Sequence, residues 1–173
     1  MNDNMTLTLR PISAGDIADV MRIQAQCYPV SMQEPEDVVL SRIEAAGHTS
    51  LIAHAGSGGV CAYVFAYPGK LGGVTKLNRA FALPANPDTL YIHDLAVPPG
   101  AAGKGLARKL VAGLVDLAGA RRLVHAALVS VQDSQAFWER LGFAVTQPDS
   151  PGSREALATY PGGACYMTMP LEP

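Results

Sequence analysis

Apolar and polar positions change period several times along the chain, and each change predicts an element. Met5–Arg10 alternate, as a half-buried strand does. Ile17, Val20, Met21 and Ile23 then recur at helical spacing behind Ser13 and Asp16, a pair placed like a capping box. Pro35 followed by Val38, Val39 and Ile43 predicts a second helix, with Gly47 as its stop. Ser50–His54 and Val60–Tyr67 read as strands joined by the turn AGSGG, a hairpin. Thr89–Val97 is apolar on both faces and therefore a central strand. Gly103–Gly119 puts Leu106, Leu110, Leu114 and Leu117 on one helical stripe. Leu123–Val129 is another buried strand, Ser134–Leu141 a short helix, Phe143–Val145 a short strand and Ala164–Met169 the last strand. Pro68–Asp88 and Thr146–Gly163 carry little pattern and read as irregular loops, which at such length are usually functional or mobile.

The resulting order is β-α-α-β-β-β-α-β-α-β-β, an α/β (α+β) class. The strand-helix-strand unit over 89–129 predicts a right-handed parallel crossover, and the hairpin makes the sheet mixed. No repeat or interdomain linker interrupts the pattern, so a single domain is expected over 1–173. A composition 49% apolar and 16% charged suits one globular core. The net charge of -2 argues against nucleic acid as the main partner. Lys104, Arg108, Lys109, Arg121 and Arg122 form a local basic stretch relieved only by Asp116, which reads equally as a solvated helix face. Cys27, Cys61 and Cys165 are odd in number and lack metal-ligand spacing, so neither a disulfide frame nor a metal site is expected. MNDNMTLTLR is no signal peptide, and Asp116 with the arginine pair interrupts the most apolar later run. A cytoplasmic protein without membrane contact is the expectation.

The chemistry concentrates in LAVPPGAAGKG, residues 95–105. A strand ends at two prolines, small residues follow, and a helix begins. The first turn of a helix presents unpaired N–H groups and the positive end of its dipole, and glycines let an anion reach them. A phosphate is the natural guest, with Lys104 and Arg108 as nearby charge; a plain tight turn is the competing reading. The nucleotide P-loop pattern fails because Gly105 follows Lys104 where Ser or Thr is needed. The dinucleotide fingerprint fails for want of an acid in Leu123–Ala126.

The strand end Leu95-Ala96-Val97, the paired small positions Gly103 and Gly105, and the later FWERLGF at 137–143 together resemble the GCN5-related N-acetyltransferase (GNAT) superfamily. H-x-L-A-V from His93 is similar to the arylalkylamine (serotonin) N-acetyltransferase branch. Gly100 stands where that family usually has Gln or Arg. The resemblance covers nearly all the chain and implies a GNAT fold, a mixed sheet of about seven strands flanked by about four helices. It implies acetyl-coenzyme A as cosubstrate and no metal. The pyrophosphate would sit on Gly103, Lys104, Gly105, Leu106 and Ala107, with Arg108 in support; the pantetheine would pair with Leu95, Ala96 and Val97. A main-chain N–H near Leu95 would hold the oxyanion.

Acetyl transfer to an amine needs a base, an oxyanion site and an acid for the thiolate. His93 is the expected base, on one strand face with Tyr91 and Leu95 unless a bulge intervenes, with Asp94 facing the other way. Trp138 occupies the family's usual tyrosine position; an indole is no useful acid, so Trp138 is assigned to packing on the coenzyme arm or the core. Tyr160 is the substitute acid candidate. No cysteine lies in either motif, which favours direct transfer in a ternary complex. Tyr28, Met32, Glu34, Phe65, Tyr67 and Tyr91 are the candidate acceptor walls, suited to a small cationic amine. The expected partner is a small primary amine of arylalkylamine or polyamine type, and a homodimer is allowed. Acetylation of a protein N-terminus or lysine, and a non-catalytic acyl-coenzyme A-binding module, are the alternatives.

Overall fold

The computed structural model describes residues 6–56 and 58–172; Met5 of the expected first strand and Ser57 of the hairpin turn lie outside them. Seven strands form one sheet: β1 (Leu7–Pro11), β2 (Leu51–Ala55), β3 (Val60–Gly69), β4 (Thr89–Ala96), β5 (His125–Ser130), β6 (Ala144–Val145) and β7 (Cys165–Pro170). Their spatial order is β1-β2-β3-β4-β5-β7-β6, which puts β4 at the centre. Only β4 and β5 run parallel; every other neighbouring pair is antiparallel.

Helices cover both faces. On one lies α3 (Leu106–Ala120), whose Leu106, Leu110, Val111, Leu114 and Ala118 pack on Val64, Ala66, Leu90, Ile92 and Leu128. The short α4 (Gln135–Arg140) adds Trp138 to the same cluster. On the other face α1 (Ile17–Cys27) and α2 (Glu36–Ala46) bury Val20, Ile23, Val39 and Ile43 against Ile52, Tyr63, Phe65 and Tyr91. The α1 entry is fixed by Asp16, which accepts from the Ser13 N–H at 2.8 Å and hydroxyl at 3.0 Å and is paired by Arg10. Gly47 ends α2 beneath the Ile12 carbonyl; a Cβ there would stand 2.6 Å from that oxygen.

Two expectations are corrected. Thr146–Gly163 is not wholly irregular, because Pro151–Ala158 form a further helix, α5. Ser150 caps it, accepting from the Ser153 N–H at 3.1 Å, and Pro151 opens it. Its eight residues, with Gly152 inside, are too few for the helical period to stand out. The second correction concerns β4. Phe65 pairs with Asp94 but Ala66 with Ile92, so His93 is an extra residue, a bulge. Beyond it the alternation slips. Leu95 joins the α3 side, while His93 and Asp94 both contact residues of the α1/α2 side. The expected sharing of a face by His93 and Leu95, with Asp94 opposite, is therefore reversed.

Candidate active site

The bulge coincides with a second irregularity. β4 pairs with β5 only as far as Ile92 and Leu128. From His93 to Ala96, β4 has β3 on one side and no strand on the other. The two parallel strands splay, and a cleft of about 260 Å³ opens between them, lined by Leu95, Val97, Ala107, Leu128, Val129, Phe137 and Trp138 among others. Trp138 is buried there, edge-on to Phe137 and Phe143. Its place is packing, at once core and cleft wall.

A second hollow, about 360 Å³, continues past Val97 onto Gly103, Gly105, Leu106, Ala107 and Arg108. Gly103 and Gly105 have φ of +77° and +73°, and a Cβ on either would meet no protein atom within 4 Å. The missing side chains leave open space above the helix start. Lys109 is the first residue whose N–H finds a carbonyl within the helix, that of Gly105. The N–H groups of Leu106–Arg108 thus face outward without helical partners. Lys104 and Arg108 are exposed beside them. A diphosphate fits this turn on backbone, space and charge. Ala96 is buried toward the α1/α2 side and contributes main chain only.

His93, Glu34 and Arg42 form a buried chain of charge-bearing groups. The His93 side chain is 2% exposed, and its Nε2 lies 3.3 Å from Glu34 Oε2. Glu34 also pairs with Arg42, which is 1% exposed. Its other oxygen accepts from the Asn78 N–H at 2.8 Å, and its backbone is gripped by Gln24 at both N–H and C=O. Arg42 donates further to the Arg79 carbonyl. A carboxylate cannot donate, so Nε2 carries the proton and Nδ1 keeps a lone pair. Nδ1 is buried and has no partner. Burial, and next the Arg42 guanidinium, hold the imidazole below its usual pKa against the pull of Glu34. For Glu34 burial opposes ionisation, but His93 and Arg42 outweigh it and keep the carboxyl below its usual range.

Asp94, set aside on sequence grounds, is a further member. The Tyr28 hydroxyl donates to one of its oxygens at 2.5 Å and the Tyr63 hydroxyl to the other at 2.7 Å. Desolvation raises its carboxyl above the ordinary value despite both bonds. Tyr28, His93 and Asp94 line the cleft between the splayed strands and also a narrow pocket of about 30 Å³, lined further by Met32, Glu34, Leu77 and Tyr160.

The other expected wall residues separate. Phe65 is core, packed edge-on to Tyr63, and lines none of these hollows. Tyr67 and Tyr91 face a different hollow of about 230 Å³ under the 70–84 segment. Tyr160 reaches the narrow pocket but not the cleft, and its hydroxyl donates to the Thr75 carbonyl at 2.7 Å. Glu34 is spoken for by Arg42 and His93 rather than free for an amine. Arg42 and Leu77 were missed. Arg42 had a signal: it lies on the buried stripe Val39, Ile43 and Ala46, where an arginine needs a partner. Among the described residues no group of three or more potential ligands could hold a metal, and no helix is long and apolar enough to cross a membrane.

Comparison with known proteins gives a consistent picture. The model of the acetyltransferase (GNAT) family matches residues 17–143. No curated protein sequence matches. Among solved structures, the GphF GNAT-like decarboxylase in complex with isobutyryl-CoA superposes with a TM-score of 0.78 at 15% identity, over 95% of this chain and 100% of that one. The ribosomal-protein-S18-alanine N-acetyltransferase from Escherichia coli gives 0.67 at 17% identity, over 97% and 96%. The PaiA N-acetyltransferase from Thermoplasma acidophilum in complex with coenzyme A gives 0.66 at 13%, over 96% and 99%. At these identities the likeness is one of fold.

Proposed function

The chain belongs to the acetyltransferase (GNAT) family, with acetyl-coenzyme A as cosubstrate, and from that premise we propose that it passes the acetyl group directly to a small primary amine of the arylalkylamine type within a ternary complex. The coenzyme's diphosphate rests on the Gly103–Arg108 turn, with Lys104 in support, and its pantetheine runs along the unpaired edge from His93 to Val97 over Trp138. A main-chain N–H near Leu95 holds the oxyanion; losing such a donor costs about 2.7–4 kcal/mol.

His93 is the base. The observation that carries this role is its Nδ1, buried and without a partner, on a residue that lines both the coenzyme cleft and the narrow pocket. Glu34 fixes the tautomer through Nε2, so the free lone pair lies on the nitrogen that can take the amine's proton. The lowered pKa keeps the imidazole neutral and ready.

The acceptor class follows from volume and charge. The small volume of the pocket supports an acceptor that enters by an amino head alone. Both nearby acids already have partners: Glu34 holds Arg42, and Asp94 holds two hydroxyls. No carboxylate is left for the second cation of a polyamine. The apolar rim of Met32 and Leu77, with Val30 standing 85% exposed in the same turn as Met32, suits an aromatic group. A thiol-release assay with 2-phenylethylamine, tryptamine, spermidine and a peptide with a free N-terminus tests this reading. The aromatic amines are expected to turn over fastest. Faster turnover of the peptide would move the activity to proteins, and coenzyme binding with no turnover would make the chain a binding module.

A further inference from the structure

We propose that Arg42 is a positioning residue for the base: its fixed positive charge claims Glu34, so the carboxylate orients His93 through Nε2 without drawing a second proton onto the ring. The inference rests on the acetyl-transfer reading above and deepens it. The geometry is a convergence on one atom. Arg42 Nη1 and His93 Nε2 both bond Glu34 Oε2, while Oε1 takes the Asn78 N–H. All three side chains are buried, so water screens none of them. One carboxylate balances one cation. A guanidinium does not deprotonate in proteins, so the imidazole is the member left without a countercharge. A second positive charge on the same buried oxygen would cost far more than it does at a surface.

The other groups around His93 do not supply that countercharge. On its own strand Asp94 follows directly, and the Tyr91 ring lies 6.4 Å away between centroids. Asp94 spends its two oxygens on the Tyr28 and Tyr63 hydroxyls, and neither nitrogen of His93 bonds it. Its pull on the imidazole ranks below the effects of Arg42 and Glu34. From the 70–84 segment Phe81 stands edge-on to the imidazole at 5.3 Å and brings no charge. Tyr28 at the end of α1 and Tyr160 after α5 share the narrow pocket with His93. Burial raises the phenols of Tyr28, Tyr91 and Tyr160, so all three stay neutral. The β5 side of the pocket brings only Val129 and Val131.

Arg42 is itself held in place. Its Nε and Nη2 donate to the Arg79 carbonyl at 3.1 and 2.6 Å, and its guanidinium lies 4.9 Å over the Phe81 ring. A planar fork serves both acceptors, Glu34 and Arg79, at once. Without the guanidinium charge, Glu34 would have the imidazole as its one cationic partner. The two would then pair as carboxylate and imidazolium. His93 would meet the amine already protonated and could not take its proton.

The test compares Arg42→Gln, which keeps hydrogen bonding without charge, with Arg42→Lys, which keeps the charge. The His93 imidazole is titrated by NMR in isotope-labelled protein, its signal assigned by its loss in His93→Gln, and the acidic limb of kcat is followed in parallel. In Arg42→Gln both are expected to move up by about 1–3 pH units, with most of kcat recovered above the new value. In Arg42→Lys both are expected to stay within about half a unit of wild type. A loss of rate equal at every pH in Arg42→Gln, or an equal rise in both variants, would overturn the assignment. Should Arg42→Gln fail to fold, Glu34→Gln is read with the opposite sign. There the guanidinium stays and the carboxylate goes, so the imidazole is expected to titrate below its wild-type value; titration at or above that value would overturn the proposal. A wild-type protein inactive with every amine would sink the acetyl-transfer reading, while the imidazole titration still decides the place of Arg42.

Discussion

At the residue scale the account turns on two adjacent side chains that the bulge in β4 brings to one side. His93 and Asp94 are displaced in opposite directions from their usual pKa values, the imidazole down and the carboxyl up, and burial is the leading cause for both. Desolvation disfavours whichever form is charged. Burial therefore favours the neutral form of each, and for His93 that is the form able to take a proton. The consequence for pH is definite. His93 must be neutral to accept a proton, and its lowered pKa keeps it neutral into mild acid. The acidic limb of kcat is expected below the ordinary histidine value of about 6.5. A limb above that value would mean that His93 is not the base, or not buried. Stability has the same sign. The unfolded chain takes up this proton more readily than the folded one, so the contribution is intact above about pH 6.5 and fades as pH falls toward the lowered folded value.

At the element scale the site is made by what strands and helices leave unpaired. β4 loses β5 beyond Ile92, and α3 starts with N–H groups that have no carbonyl to bind. The glycines at that start have left-handed backbone, and no protein atom lies where their side chains would be, so the space above the turn is open. Gly103→Val should weaken acetyl-coenzyme A binding by at least about tenfold, with a stability cost of roughly 1–2 kcal/mol for a left-handed valine. Calorimetric titration checks it, and unaltered affinity would contradict the turn contact. Gly47 is the converse case, a glycine needed by the fold. Gly47→Ala would press a Cβ against the Ile12 carbonyl, a backbone atom that cannot swing away. About 1–3 kcal/mol should be lost, seen as a drop of several degrees in Tm with coenzyme affinity unchanged. No change in Tm would show that the α2–β1 joint is looser than described.

At the scale of the whole molecule, most of the architecture was legible because its elements are long and periodic. The α3 stripe, the doubly apolar β4 and the glycine turn between them announce a parallel crossover, and the sheet and its flanking helices follow. What was hidden depends on contacts distant in sequence. No local pattern reveals that Glu34 meets Arg42, His93 and the Asn78 N–H, or that Tyr28 meets Asp94. The bulge was hidden too, because it is set by the register of β3 and not by β4 alone. A single extra residue then reversed the facing of Leu95 and Asp94. The segment 70–88, patternless in sequence, folds back over the site by main-chain contacts at Thr75, Asn78 and Arg79, which leave no signature in side-chain periodicity.

These scales meet in one measurement on His93→Gln, with acetyl-coenzyme A affinity and acetyl transfer to 2-phenylethylamine determined on the same preparation. The expected result is an affinity within about twofold of wild type together with a kcat lowered by about 10²–10³-fold. Wild-type transfer in the variant, or wild-type protein that does not bind acetyl-coenzyme A, would contradict the account.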